Sequence, residues 1–269
     1  MPAILAIDAA WTNTQPSGIA LVVQKSDGWH CVAVAPSYGS FLDLAEGEAV
    51  PWGADAIHGG APDPSALLDA STAMAGQDVT LVTVDMPVST APIAGRRAAD
   101  QAISDTFGNK GCSTHSPSDE RPGEVGRTFY DGFVAEGFSL ATTATEGITA
   151  NQLAEVYPHP ALLTLLDVDY RVPYKISKAL KYWPKTAVPQ RIGSLITVYG
   201  QMLAALKSRI LNVDLVLPGA GAVPTLSQLK RYEDALDALV CAWVGTEYCA
   251  GHAVPYGDST AAIWVPSDT

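Results

Sequence analysis

The run DVTLVTVDMPV, residues 78 to 88, constrains this chain more than any other stretch. It is apolar and β-branched, with no charge between Asp78 and Asp85. A strand of that kind has no wet face, so it belongs inside a parallel sheet covered by helices on both sides. The segments before it differ. AILAID and GIALVVQ read as strands separated by TNTQPSG, a stretch dense in turn formers, and WHCVAVAPSY suggests a third strand. The chain therefore opens as an antiparallel meander and continues in parallel.

Later segments extend the alternation. Residues 64–76 fit a helix with Pro64 or Ser65 at its start and Gly76 closing it. GRRAADQAISDTF and GRTFYDGFVAEGF read as helices, with a long Gly-, Ser- and Pro-rich loop predicted over 108–126. QLAEVYPHP reads as a short strand leading into the helix of ALLTLL; helices are predicted over 174–183 and 190–211, and STAAIWVP as a last edge strand. This order indicates a mixed α/β sheet in one domain over 1–269, with loop or helical insertions at about 108–150 and 171–215.

Two of the apolar strands end in an aspartate, at Asp8 and Asp85, and Glu155 lies within a third. A carboxylate closing a buried run is costly to desolvate unless it is paired or binds a cation. Ligands of open α/β sheets gather at the carboxyl ends of the strands. A further set of acids lies in RYEDALDALVCAW, residues 231–243. Thr225 and Gln228 have capping-box spacing, so this helix starts early and Asp234 lies about two turns inside it. Asp234 and Asp237 share a face with Lys230 and Cys241, while Leu229, Leu236, Leu239, Val240 and Trp243 form the face expected to pack on the sheet. Glu233 falls on a different face and is expected to take no part.

Taken singly, each acid has an ordinary reading: a strand-end aspartate caps a loop and a helical one meets solvent. Brought together they would repel without a cation, and hard oxygen ligands suit Mg²⁺ or Mn²⁺. Two such ions about 3.5 to 4 Å apart can activate a water and stabilise a leaving oxygen in phosphodiester cleavage.

The segments IDAAW…PSGIAL, VDMPV, GRRAAD, EVYPHPAL, the pair Tyr174–Lys175 and EDALDALVCAW resemble domain of unknown function family 429, a family of predicted nucleases with a ribonuclease H-like fold. The resemblance implies a ribonuclease H-like mixed sheet flanked by helices. It also implies metal-dependent hydrolysis of nucleic-acid phosphodiesters, with Asp8, Asp85, Asp234 and Asp237 as metal ligands. Glu155 would be the family's own addition to the catalytic set. Lys175 joins that set because the Tyr-Lys pair recurs in the family.

Other residues carry two readings. Lys175, Lys178 and Lys181 interleave with Tyr174, Tyr182 and Trp183, as a strand-binding surface does, or as a solvated helix face does. Arg96 and Arg97 either contact a phosphate or form surface ion pairs. His159, between two prolines, is either a general base or phosphate contact, or a histidine fixing the turn.

Charge bears on the partner. The net charge of −12 excludes an all-over nucleic-acid coat, yet eight of the 16 basic residues fall between Arg171 and Arg209 with no acid among them. No stretch approaches the roughly 18 apolar residues of a membrane span. The four cysteines show no metal or disulfide spacing and the start shows no secretory signal, so a cytoplasmic protein is expected. Two rivals remain at this stage. An actin-like or sugar-kinase-like phosphotransferase shares the strand-end aspartate but needs duplicated domains and glycine-rich phosphate loops. A non-catalytic nucleic-acid-binding module has no need of the full acid set.

Overall fold

The first strand lies inside the sheet, with a strand paired on each side. A computed structural model describes residues 1–147 and 151–267. In it β1 (Ala3–Asp8) is buried along its length until Asp8. It pairs antiparallel with β2 (Gly18–Lys25), which pairs antiparallel with β3 (Gly28–Ala35), so the predicted meander is present. Helices α1 (Tyr38–Ala45) and α2 (Pro64–Ala75) follow. Asp63 caps α2 by accepting from Ala66 N, and Gly76 closes it in the left-handed region at φ 69°.

The long apolar run supplies β4 (Leu81–Val84), parallel to β1 on that strand's other side. Next come α3 (Ala98–Phe107), α4 (Glu124–Ala135), the two-residue β5 (Ser139–Leu140) and β6 (Gln152–Val156). They are followed by α5 (Pro158–Leu166), α6 (Ala179–Tyr182), α7 (Val188–Lys207), α8 (Leu226–Cys249), β7 (Ala253–Gly257) and β8 (Ala262–Pro266). The sheet order is β3-β2-β1-β4-β6-β8-β7, with β5 also pairing β6. The fold is thus a mixed α/β sheet flanked by helices. Alternation along β1 and β2 divides its core. Leu5, Ile7, Ile19 and Leu21 pack with Phe41, Leu67, Phe129 and Phe133 on one face. On the other face Ile4, Ala6, Ala20 and Val22 join α5, α7 and α8.

Four expectations need correction. STAAIWVP is not an edge strand: β8 lies between β6 and β7, and β7 is the edge. β7 was hidden because its AVPYG sequence is short and contains Pro255, which an edge tolerates. The helix expected over 174–183 shrinks to a 3₁₀ turn at Ile176–Lys178 and the single turn of α6, because the backbone of this segment is engaged by α8 instead. The helix expected over 190–211 begins at Val188 and stops at Lys207, after which Leu211 bonds to the backbone of Trp29 and Cys31 on β3. The loop expected over 108–126 holds a 3₁₀ turn at Gly108–Lys110 and ends where α4 starts.

The orientation of α8 also differs from expectation. The Cys241 carbonyl accepts from Thr83 Oγ1 at 3.0 Å, so the face bearing Asp234, Asp237 and Cys241 rests on the sheet. Leu236, Leu239, Val240 and Trp243 instead join the core that contains Leu195, Tyr199 and Met202 of α7. A helix buried on nearly every side has no single apolar stripe to orient it.

Gly18 sets how closely α8 approaches. A Cβ there would lie 2.0 Å from the Asp234 carbonyl oxygen, and backbone cannot step aside as a flexible side chain can. Gly18→Ala is therefore expected to cost about 1 to 3 kcal/mol in urea denaturation, the range for overpacking a core. An unchanged denaturation midpoint would mean that the helix seats elsewhere. Among the described residues, no helix is long and apolar enough to cross a membrane.

Candidate active site

The strand ends and α8 meet at one end of the sheet. Asp8 ends β1, and Asp85 follows β4 directly, its N–H bonding to the Ile7 carbonyl at 2.9 Å. That bond sets the two aspartates side by side. From α8 come Glu233, Asp234 and Asp237, all buried, Asp237 completely. Helix α8 places them there because Thr225 caps its start, accepting from Gln228 N at 3.3 Å as the spacing predicted.

Two lysines reach into these acids. Lys175 Nζ donates to Asp237 Oδ2 at 2.5 Å and lies 3.7 Å from Glu233. Lys230 pairs with Asp234 and lies 3.1 Å from Glu233. Tyr174 O–H donates to Asp237 Oδ1 at 2.7 Å, and the Ile176 N–H donates to Glu233 at 2.6 Å. Glu233 is therefore a member of the cluster rather than a bystander. Its face of α8 is covered by residues 174–176, which come from far away in the chain.

The titration behaviour follows from crowding. Burial lifts the Asp8 carboxyl to about 7; Lys175 pulls it down while Asp234 pushes it up. Burial, then Asp8, raises Asp85 well above the ordinary range. Burial brings Asp234 and Asp237 to about 6 despite the relief given by Lys230 and Lys175. For Glu233 burial pushes upward, but Lys175, Lys230 and the Ile176 N–H outweigh it and hold the group low. Burial disfavours the charge on Lys175, yet Asp237, Tyr174 and Glu233 overcome it and raise its pKa well above the usual value.

Glu155 stands apart from this group. Arg97 grips both its oxygens at 2.6 Å and also holds Asp100 and the Val88 carbonyl, while the Val88 N–H donates to Glu155 at 3.0 Å. The carboxylate thus braces the loop that follows Asp85. Of the two arginines singled out in the sequence, Arg97 is internal. Arg96 is spent on its surroundings, donating to Gln101, Ser104, Ser116 and the Asp100 carbonyl.

His159 is buried, and Arg171 donates to its Nε2 at 2.5 Å. Burial, Lys175 and Arg171 hold its pKa well below the usual value, so the ring is neutral with its base lone pair already engaged. Lys178 is exposed at the rim, whereas Lys175 is internal, so the lysine stripe divides between two environments.

A cleft of about 1000 Å³ opens above the acids, lined by Asp8, Asp85, Glu233, Asp234, Lys175 and Lys230 among others. Within the acid cluster itself five carboxylates (Asp8, Asp85, Glu233, Asp234, Asp237) meet two ammonium groups, Lys175 and Lys230, leaving three negative charges on full ionisation, while Asp55 and the cations Arg121, Arg171, Lys178 and Arg231 line the rest of the cleft. The Asp234 Oδ2 is buried without a hydrogen-bond partner. Among the described residues no three acidic, histidine or cysteine side chains are already spaced to hold a metal ion. Lys175 and Lys230 occupy carboxylate oxygens that a cation would use. The surplus charge, the hard oxygen donors and the unpartnered oxygen nevertheless fit a hard divalent cation.

Two groups escaped the sequence reading besides Glu233. Arg231 is buried and donates to the carbonyls of Trp52 and Ala54, pinning a loop beside the cleft. Tyr174, in sequence an aromatic neighbour of lysines and half of the Tyr174–Lys175 pair, is buried and bonded to Asp237. No curated protein and no solved structure matches the chain. The model of the family described as "protein of unknown function (DUF429)" matches residues 7–261, and the chain belongs to that family.

Proposed function

We propose that this protein is a nuclease that hydrolyses nucleic-acid phosphodiester bonds with Mg²⁺ or Mn²⁺, on a ribonuclease H-like sheet. The observation that carries the reading is the convergence of Asp8, Asp85 and Asp234 on one cleft floor, with Asp237 buried in the same acid cluster, which holds more negative charge than its two lysines neutralise. The sheet order supports it: an antiparallel β3-β2-β1 followed by parallel β4 and β6, with acids at the ends of β1 and β4.

Asp8, Asp85, Asp234 and Asp237 would hold the cation. When bound, it supplies Lewis-acid activation of water and stabilisation of the leaving oxygen. The chain's own residues do the rest. Lys175 and Tyr174 fix both oxygens of Asp237, and the Glu155–Arg97 clamp braces the loop carrying Asp85. Lys178 at the rim offers charge to a phosphate. The test is incubation of the purified chain with labelled DNA and RNA, with Mn²⁺ and with chelator. Cleavage should require the cation and vanish in Asp85→Asn; cleavage that persists in chelator or in that variant would refute the reading.

Proton release gives a second readout. At pH 6 Asp8 is mostly protonated, and Asp234 and Asp237 are each about half protonated. Cation binding at these carboxylates and at Asp85, which burial also holds protonated, should therefore release protons, more of them at pH 6 than at pH 8, measured by calorimetry in buffers of different ionisation enthalpy. The linked stability has a definite sign. These raised carboxyls bind protons more tightly in the folded state, so their contribution to stability falls as pH rises from about 4 to 7.

A further inference from the structure

The walls of the cleft bear on which form of nucleic acid enters it. One wall carries Trp11, Gln15 and Pro16; others carry His115, Ser116 and Arg121, residues 55–57, and Ser177 with Lys178. These walls are pinned. Arg231 donates to the Trp52 and Ala54 carbonyls at 2.8 and 2.6 Å, and the Trp52 ring stacks on Tyr232 with centroids 5.3 Å apart. Gly59 lies so close to the Gln15 backbone that a Cβ there would sit 2.4 Å from the Gln15 carbonyl oxygen. A pinned space of about 1000 Å³ is of small-molecule size. A duplex keeps its bases stacked inward and cannot pass one into such a space without unpairing.

The mouth has the parts of a stacking site. Trp11 is half-buried and lines the cleft, and the exposed Arg121 guanidinium lies over its ring, 5.7 Å from the centroid. An exposed arginine on an aromatic face is an exchangeable cover, because a planar base can take the ring face while the guanidinium keeps a neighbouring phosphate. Arg171 and Lys178 line the same cleft. Aromatic faces with a cationic rim are how unpaired strands are held without sequence preference.

We infer that the cleft takes an unpaired nucleotide segment, with a base stacked on Trp11 and its phosphate held by Arg121, and rejects an intact duplex. This rests on the nuclease reading for what happens to the strand but not for the binding itself. The test is fluorescence anisotropy on the full chain, with Ca²⁺ in place of Mg²⁺, using a labelled unpaired oligonucleotide of about ten nucleotides and a blunt duplex of the same sequence. The unpaired strand should bind at least about ten-fold more tightly. Trp11→Ala should weaken it about ten-fold and Trp11→Phe far less, with duplex binding unchanged. Arg121→Glu, a surface change that leaves packing intact, should weaken unpaired binding about five-fold or more and make it less salt-dependent.

Equal or tighter duplex binding, no binding of either form, or unchanged affinity in both Trp11→Ala and Arg121→Glu would overturn the inference. Tight unpaired binding through Trp11 without cation-dependent cleavage would sustain it and sink the nuclease reading. Preferential cleavage of intact duplex would do the reverse.

Discussion

Asp8→Asn is expected to lower cation-dependent cleavage by about 10³-fold or more while raising the melting temperature of the cation-free protein. The two effects have one origin. Asp8 sits beside Asp85, with Asp234 and Asp237 close enough to shift its titration or be shifted by it. Without a cation its charge is unwelcome, which is why burial and neighbouring acids lift its carboxyl to about 7. An amide of the same shape removes that repulsion, which is worth about 1 to 2 kcal/mol near neutral pH. For a chain of this size, that is a rise of roughly 2 to 6 °C. The same change removes a hard anionic ligand, and several kcal/mol of transition-state stabilisation go with it, at about 1.4 kcal/mol per factor of ten. Cleavage assays and thermal melts in chelator read the two effects separately. A destabilised variant would mean that Asp8 is structural, and an active one would remove it from the site.

Arg97→Ala carries the largest expected cost in stability, about 3 to 5 kcal/mol in urea denaturation. Arg97 is the main neutralising partner of Glu155, and it also holds Asp100 at 2.9 Å. Its removal strands a carboxylate whose remaining hydrogen bond comes from the Val88 N–H. The loop between Asp85 and Val88 loses its brace at the same time, so Mn²⁺ affinity should fall with stability. Breaking a buried pair differs from replacing it. The double variant Arg97→Leu with Glu155→Leu should recover part of the loss, because no uncompensated charge at Glu155 remains while buried Asp100 still lacks its arginine. A single variant costing under 1 kcal/mol would show that water reaches Glu155 and that the clamp braces nothing.

Particular residues show how much was legible beforehand. Asp8 and Asp85 stood out because each ends an apolar run, and a run's end is visible along the chain. Asp234 and Asp237 were legible because the Thr225 cap fixed where the helix starts, and with it which positions share a face. Glu233 was not legible. Its surroundings are made by Lys175, Ile176 and Tyr199, and sequence spacing says nothing about which distant segment covers a helix face. The two sides of α8 were exchanged for a related reason: with Leu236 and Cys241 equally buried, hydrophobic periodicity has no preferred direction. The β7 strand was lost to Pro255, and the helix expected over 174–183 was lost to backbone bonds that only the folded chain makes. Glu155 illustrates a different gap, since an acid in a strand reads alike whether it faces a cation or an arginine.

The central claim is that the surplus charge of the aspartate floor is matched by a divalent cation. Anomalous diffraction from a crystal soaked in Mn²⁺ tests it most directly. The account predicts a peak bonded to the carboxylates of Asp8 and Asp85, with Asp237 or Asp234 completing the set from α8. A crystal saturated with Mn²⁺ that shows no peak at this floor, with Lys175 still on Asp237 and Lys230 still on Asp234, would contradict it.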